Sequence, residues 1–270
     1  MLISPVYSIQ IGILCRSDTK QYRLDNMTKL SVVLPAKNEE GNIGPLIEEI
    51  HNALNTNVTF EVVLTDDGST DNTGKEAIDT ASRLGCALTL LHHPQSCGQS
   101  TAVHSAVRHA KGEWIATLDA DGQNDPADLL GMIEQAEQLS VEHFCIAGFR
   151  NKRKDTAWVH FQSRIANAVR QFFLADGVPD SGCGLKVFPR QTFLLLPYFD
   201  HMHRFLPALI RRMNGEIVVY PVNHRERTVG VSKYNVWNRL WVGIVDMFGV
   251  MWLRKRTKWP TIEIKHTDKE

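Results

Sequence analysis

From Lys29 to Arg150 the chain repeats one pattern. A short apolar run meets a polar break, then a stretch follows whose apolar positions recur at helical spacing. The runs "KLSVVLPA" (29–36), "FEVVLTDDGS" (60–69), "ALTLLHH" (87–93), "EWIATLDAD" (113–121) and "FCIAGF" (144–149) predict strands. The stretches "NIGPLIEEIHNAL" (42–54), "TGKEAIDTASRLG" (73–85), "STAVHSAVRHAKG" (100–112) and "PADLLGMIEQAEQL" (126–139) predict helices. This alternation predicts an α/β fold, a mostly parallel sheet with helices on both faces.

After residue 150 the pattern changes. "WVHFQSRIANAVRQFFL" (158–174) predicts a long amphipathic helix, and a Gly-rich connection covers 176–190. "RFLPALIRRMNG" (204–215) predicts a helix and "EIVVYPV" (216–222) a strand. Regular patterning starts only near Leu30, so the first 26 residues are expected to be a dispensable extension or a misassigned start. They lack a basic leader and a small-residue cleavage site.

In such sheets ligands bind beyond the carboxyl ends of the strands. Four polar clusters fall at those ends: Lys37 to Glu40, Asp66 to Ser69, Asp119 to Asp121, and Arg150. On an extended chain Asp119, Asp121 and Gln123 would face one way and converge three oxygen-bearing side chains. Hard divalent cations prefer oxygen ligands, and two adjacent carboxylates repel unless a cation lies between them. An EF-hand fails, because Asn124 stands where glycine is needed and Leu130 where glutamate is needed. A phosphatase of the haloacid dehalogenase type usually continues Gly-Thr, and here Gly122-Gln123 follows. Capping of a helix before Pro126 accounts for Asn124 or Asp125 and poorly for Asp119.

Composition narrows the class. Lys+Arg and Asp+Glu stand at 30 each, so no general nucleic-acid surface is expected. Five cysteines without a CxxC pair argue against a disulfide framework or zinc site and for reduced thiols. The histidine pairs 92–93 and 201/203 are expected on the surface or in packing.

The ordered set "VVLPAKNEE", "VVLTDDGSTDNT" and "GQSTAVHSAVRHAKGEWIATLDADGQNDP" resembles the nucleotide-binding half of family-2 glycosyltransferases, over roughly residues 30 to 250. "AGFR", "SRIANAV", "DSGCGLKVFPR" and "RERTVGVSKY" resemble the polyprenyl-phosphate branch, which contains dolichyl-phosphate mannosyltransferase. The resemblance implies a GT-A fold over 29–234, after an extension at 1–28 and before an interfacial helix and basic tail at 235–270. It implies a nucleotide diphosphate sugar as donor and a polyprenyl phosphate as acceptor. Carried over, Pro35, Lys37 and Glu39 line the nucleoside pocket, and Asp67 accepts hydrogen bonds from the base, uracil or guanine. Asp119, Asp121 and Gln123 hold Mg²⁺ or Mn²⁺ on the diphosphate. Arg150 and Arg164 face the acceptor phosphate; the bland alternative is a surface ion pair with Asp155 or Glu142. Arg227, Ser232 and Lys233 close over the diphosphate.

Asp180 stands where hydroxyl-using relatives place a general base. A lipid phosphate, with a second pKa of about 6, is already largely ionised and can attack directly with inversion. Asp180 would then order the glycine loop or orient Lys186. Transfer to a glycan hydroxyl with Asp180 as base stays open, as does a catalytically idle nucleotide-sugar binder. Relatives often carry arginine at the position of Lys186, and many carry two membrane-spanning helices after this domain.

"LWVGIVDMFGVMWL" (240–253) is too short to span a bilayer, which needs about 20 apolar residues. Basic residues and tryptophans flank it, which suits a membrane interface through 236–259; a core or dimer-contact helix is the alternative, and a homo-oligomer stays open. The expected location is the cytoplasmic face of a membrane, peripherally bound.

Overall fold

The structure, a computed structural model, describes residues 28–150, 170–225 and 236–258. Seven strands form one sheet: β1 (Leu30–Ala36), β2 (Phe60–Asp67), β3 (Leu88–His93), β4 (Trp114–Thr117), β5 (Phe144–Arg150), β6 (Lys186–Pro189) and β7 (Glu216–Val222). The helices are α1 (Ile43–Leu54), α2 (Thr73–Leu84), α3 (Gln99–His109), α4 (Asp128–Glu137), α5 (Arg190–Leu194), α6 (Leu206–Arg212) and α7 (Val236–Arg256). The strand order is β3-β2-β1-β4-β6-β5-β7. Only β6 runs antiparallel, to β4 on one side and β5 on the other.

Strand alternation builds a core on each face. Leu30, Val32 and Leu34 of β1 and Val62 and Leu64 of β2 face one core. There they meet Ile43, Leu46, Ile47, Ile50 and Leu54 of α1 and Leu129, Met132 and Ile133 of α4. The helical spacing of those residues keeps them on single stripes. Val33 and Val63 point the other way and join Val103, Ala106 and Val107 of α3 and Leu206, Ala208, Leu209 and Ile210 of α6. Two-sided burial explains why these strands read as nearly continuous apolar runs.

Helix α7 belongs partly to this second core. Met247 and Val250 are buried in it, while Val242, Val245, Phe248 and Trp252 are exposed on other faces. The core-helix expectation thus holds for one face of the helix, and its other faces are exposed.

Two expectations fail in the fold. The strand expected over 113–121 stops at Thr117. The connection expected over 176–190 contains β6, four residues that fill the gap between β4 and β5. Its shortness, with Gly184 before it and Pro189 at its end, hides any alternation. The insertion matters for function. Lys186, the first residue of β6, pairs with Thr117, the last of β4. The loop before β6 thus lies over the carboxyl end of β4.

Candidate active site

Beyond Thr117 the chain turns, and Gly122 has φ +72°, a conformation that breaks any extended spacing. Asp119, Asp121 and Gln123 therefore do not share a strand face as expected. A turn gathers the acidic residues instead. Asp121 Oδ1 accepts the backbone N–H of Gln123 at 3.1 Å. Buried Asn124 does not cap α4; its Oδ1 turns back to accept the N–H of Asp119 at 3.3 Å. Asp125 accepts the N–H of Ala127 just before α4 (3.1 Å).

Asp119 is held from two sides. Its Oδ1 accepts Gln99 Nε2, from the first turn of α3, at 2.8 Å. Its carboxylate also lies on the backbone of Gly184, where an added Cβ would come within 2.3 Å of Oδ2. Burial pushes the Asp119 carboxyl above its usual range, and neighbouring Asp121 pushes it further, against the pull of Lys186, Gln99 and Arg150. Two hard, mutually repelling carboxylates on a partly exposed turn fit a divalent cation by the chemistry of the donor set. Asp119 and Asp121 would hold it, with Gln123 on the same turn.

Arg150, at the end of β5, pairs with Asp180 and not with Glu142, while Asp155 lies outside the described residues. Its Nε donates to Asp180 Oδ2 at 2.6 Å and its Nη2 to Asp180 Oδ1 at 2.8 Å. Asp180 therefore meets Arg150. Lys186 is buried and its Nζ donates to the carbonyl of Cys183. Thr117 Oγ1 donates to the carbonyl of Gly184 at 2.7 Å and ties the loop to β4. Between this loop, Asp119 and α3 lies a cleft of about 150 Å³, lined among others by Pro35, Gln99, Lys186, His203 and Arg204.

Asp67, expected to accept from the base, is engaged by donors of this chain. Its Oδ1 accepts His93 Nδ1 (2.7 Å) and the N–H of Cys97 (2.8 Å). Its Oδ2 accepts Ser96 Oγ (2.7 Å) and the N–H of Gly98 (2.9 Å). Four donors fill the four lone-pair positions of a carboxylate, so a base could be accepted only by displacing one. Asp67 pins the 96–98 loop that leads into α3 and Gln99. Gly68, at φ +72°, lets this loop pack close: a Cβ there would sit 2.7 Å from the backbone nitrogen of Ser96.

Pro35 lines the cleft. Lys37 is exposed, and Glu39 Oε2 accepts Asn42 Nδ2 at 2.8 Å. Arg164, Arg227, Ser232 and Lys233 lie outside the described residues. Arg225, the last described residue before that segment, docks on the acidic turn: its N–H donates to the carbonyl of Gln123 (2.9 Å), and its side chain pairs with Glu49 (2.6 Å) and Asp125 (2.9 Å).

Gln99, Gly184, His203 and Arg204 were missed in the sequence. His203, expected on the surface or in packing, lines the cleft. Its ring pairs through Nδ1 with Ser100 Oγ at 2.7 Å. Gln99 and Gly184 fall inside the motifs that carry the family resemblance, and no local pattern marks His203 or Arg204.

Comparison with known proteins bears on the family and the fold. A dodecaprenyl-phosphate galacturonate synthase of Rhizobium johnstonii is 33% identical over 231 residues, 84% of this chain and 68% of that protein. An undecaprenyl-phosphate 4-deoxy-4-formamido-L-arabinose transferase of Pseudomonas paraeruginosa is 30% identical over 222 residues, 82% of this chain and 64% of that protein. Among solved structures, a mannosyltransferase from Pyrobaculum calidifontis in complex with GDP-Man and Mn²⁺ superposes with a TM-score of 0.64 at 21% identity, over 87% of this chain and 66% of that one. Glucosyl-3-phosphoglycerate synthase from Mycobacterium tuberculosis, with Mn²⁺ and UDP-glucose, superposes with a TM-score of 0.59 at 18% identity, over 84% and 79%. These likenesses show the GT-A fold. The family model for glycosyl transferase family 2 matches residues 31–194, and the chain belongs to that family of glycosyltransferases.

Proposed function

We propose that this protein transfers a sugar from a nucleotide diphosphate sugar to a polyprenyl phosphate, with inversion at the anomeric carbon. The single observation that carries the choice of acceptor is the Arg150–Asp180 fork. Both oxygens of Asp180 accept from Arg150, and the side chain is largely buried. A carboxylate so engaged is a poor general base, because protonation would break two charge-assisted hydrogen bonds. A hydroxyl acceptor needs a base; a phosphate monoester, ionised near neutrality, does not. Relatives named for dodecaprenyl and undecaprenyl phosphate support the same acceptor class.

The acceptor oxygen attacks the anomeric carbon from the face opposite the diphosphate. The new bond is carbon to phosphate oxygen, and the leaving nucleoside diphosphate takes the electron pair of the bond that breaks. A divalent cation held by Asp119, Asp121 and Gln123 would neutralise the charge that develops on that leaving group. Gln99 and Gly184 hold Asp119 in position for this role. Asp67 keeps the 96–98 loop, and so Gln99, in register. Asp180 fixes the Arg150 guanidinium, whose charge helps to align an acceptor phosphate. Arg164, Arg227, Ser232 and Lys233 complete the anion-binding set in this reading.

Contact with a membrane surface is the second part of the proposal. Among the described residues no helix is long and apolar enough to cross a membrane. Helix α7 exposes Val245, Phe248 and Trp252 at helical spacing and continues into Arg254, Lys255, Arg256 and Lys258. An apolar stripe with a basic end suits an anionic lipid surface.

The test is direct. The protein is incubated with Mn²⁺ or Mg²⁺, a panel of UDP- and GDP-sugars, and either undecaprenyl phosphate or undecaprenol. A glycosyl phosphoryl lipid, found by mass only with the phosphate, is expected, and its anomeric proton should show the inverted configuration. Transfer to the free alcohol or to a glycan hydroxyl instead would overturn the proposal.

A further inference from the structure

The cleft beside Asp119, at about 150 Å³, has room for one sugar ring and falls well below the roughly 300 Å³ at which pockets take larger ligands. On the donor-site reading above, the diphosphate lies at the acidic turn, so the group that enters this cleft is the sugar. Its lining is lopsided in charge. Asp119 is the single carboxylate among the described lining residues, and the same reading commits it to the diphosphate end. Lys186, His203 and Arg204 are the basic ones. Lysine and arginine side chains only donate hydrogen bonds, whereas a neutral sugar presents hydroxyls that must also donate to something.

His203 and Arg204 sit on the single-turn 3₁₀ helix Met202–Arg204, directly before α6. That turn is fixed. Ser100 Oγ, buried in the first turn of α3, pairs with His203 Nδ1 at 2.7 Å and accepts the His203 backbone N–H at 3.3 Å. Two carboxylates face the turn from outside the cleft, Asp200 and, on α7, Asp246. Both lie against His201, at 3.6 and 3.2 Å, and Asp246 also feels the charge of Arg204, so a ligand carboxylate would share that guanidinium with it. Arg150, by contrast, is tied to the loop before β6 through Asp180. The two basic groups are therefore anchored to different walls, one by α3 and one by the 180–184 loop.

We propose that His203 and Arg204, with Lys186 behind them, recognise a carboxylate on the transferred sugar, so that the donor is a nucleotide-linked uronic acid. An acceptor phosphate is the other source of an anion in this site, and the experiment separates the two. Donor pairs that differ only in a carboxylate or a hydroxymethyl group at C6 are compared: UDP-glucuronate with UDP-glucose, UDP-galacturonate with UDP-galactose, and GDP-mannuronate with GDP-mannose. Each is measured by calorimetric binding with Mn²⁺ present and by transfer to undecaprenyl phosphate.

The full chain is expected to favour the acidic member of at least one pair by tenfold or more, in both binding and kcat/KM. Arg204→Gln should shrink that acid-to-neutral ratio by tenfold or more, and His203→Gln should shrink it in the same direction. Equal use of acidic and neutral donors overturns the inference, as does an Arg204→Gln defect of the same factor for both. A defect confined to the KM of undecaprenyl phosphate would assign the cation to the acceptor and also overturn it. If no donor is transferred to lipid, the proposed function fails, while the binding ratio still decides the sugar. If no donor binds, both fail.

Discussion

Arg150 grips both carboxylate oxygens of Asp180, with Nε to Oδ2 at 2.6 Å and Nη2 to Oδ1 at 2.8 Å, and the two side chains are only 15% and 10% exposed. Removing one partner of a pair so far out of water strands the other charge, at a cost of about 3 kcal/mol. Arg150→Met and Asp180→Leu should each destabilise the fold by roughly that amount, and the double variant by clearly less than the sum. Urea unfolding of the four proteins measures this. Additive losses would mean that the two residues do not depend on each other.

The contact between Asp119 and Gly184 predicts a split between stability and activity. A Cβ on residue 184 would overlap the Asp119 carboxylate, at 2.3 Å from Oδ2 and 2.5 Å from Cγ. The carboxylate can swing aside, so Gly184→Ala should change stability by less than about 1 kcal/mol. Its displacement should still lower kcat at least tenfold and weaken Mn²⁺-dependent donor binding. Calorimetry with donor, with and without Mn²⁺, separates these effects.

A third prediction concerns acid. Burial would push the Asp67 carboxyl up, but donors from Cys97, His93, Ser96 and Gly98 outweigh it and hold the group below the ordinary 3.8. A depressed carboxyl stabilises the fold above its unfolded value, and that contribution fades as pH falls through the lower folded value. Asp67→Asn should cost about 2 kcal/mol at neutral pH, because an amide cannot accept all four hydrogen bonds. Denaturation at about pH 3 should show a smaller difference from the wild type. A gap that is constant or widens in acid would count against the ionised network.

Helix α7 carries the fourth. Val245 and Phe248 are exposed on a face away from buried Met247 and Val250, and Trp252 is exposed one turn on. Replacing Val245, Phe248 and Trp252 together by serine should leave the melting temperature within a few degrees. Co-sedimentation with vesicles containing anionic lipid should fall at least tenfold. Unchanged sedimentation would move the membrane contact elsewhere.

Much of this fold could be read from the sequence because both faces of the sheet are covered. Apolar runs such as Val32–Leu34 mark buried strands, and stripes such as Ile43, Ile47, Ile50 and Leu54 mark the helices above them. Strand β6 was invisible, since four residues next to a glycine loop carry no periodicity and its place depends on partners far along the chain. The acidic residues of the site were legible as a cluster, though for the wrong local reason: a glycine turn, not strand alternation, gathers Asp119 and Asp121. The Arg150–Asp180 pair joins positions 30 residues apart across the sheet edge, and His203 reaches Ser100 over 103 residues. No local pattern encodes contacts at such separations.

The claim on which the account turns is that the acceptor arrives already ionised, so that Asp180 positions an arginine and is not a base. The steady-state kinetics of Asp180→Asn with undecaprenyl phosphate test it most directly. The account predicts a kcat within about tenfold of the wild type at saturating acceptor, with the acceptor KM raised as Arg150 loses its anchor. A kcat lowered by about a thousandfold or more at unchanged KM, in a variant that still binds donor, would contradict it.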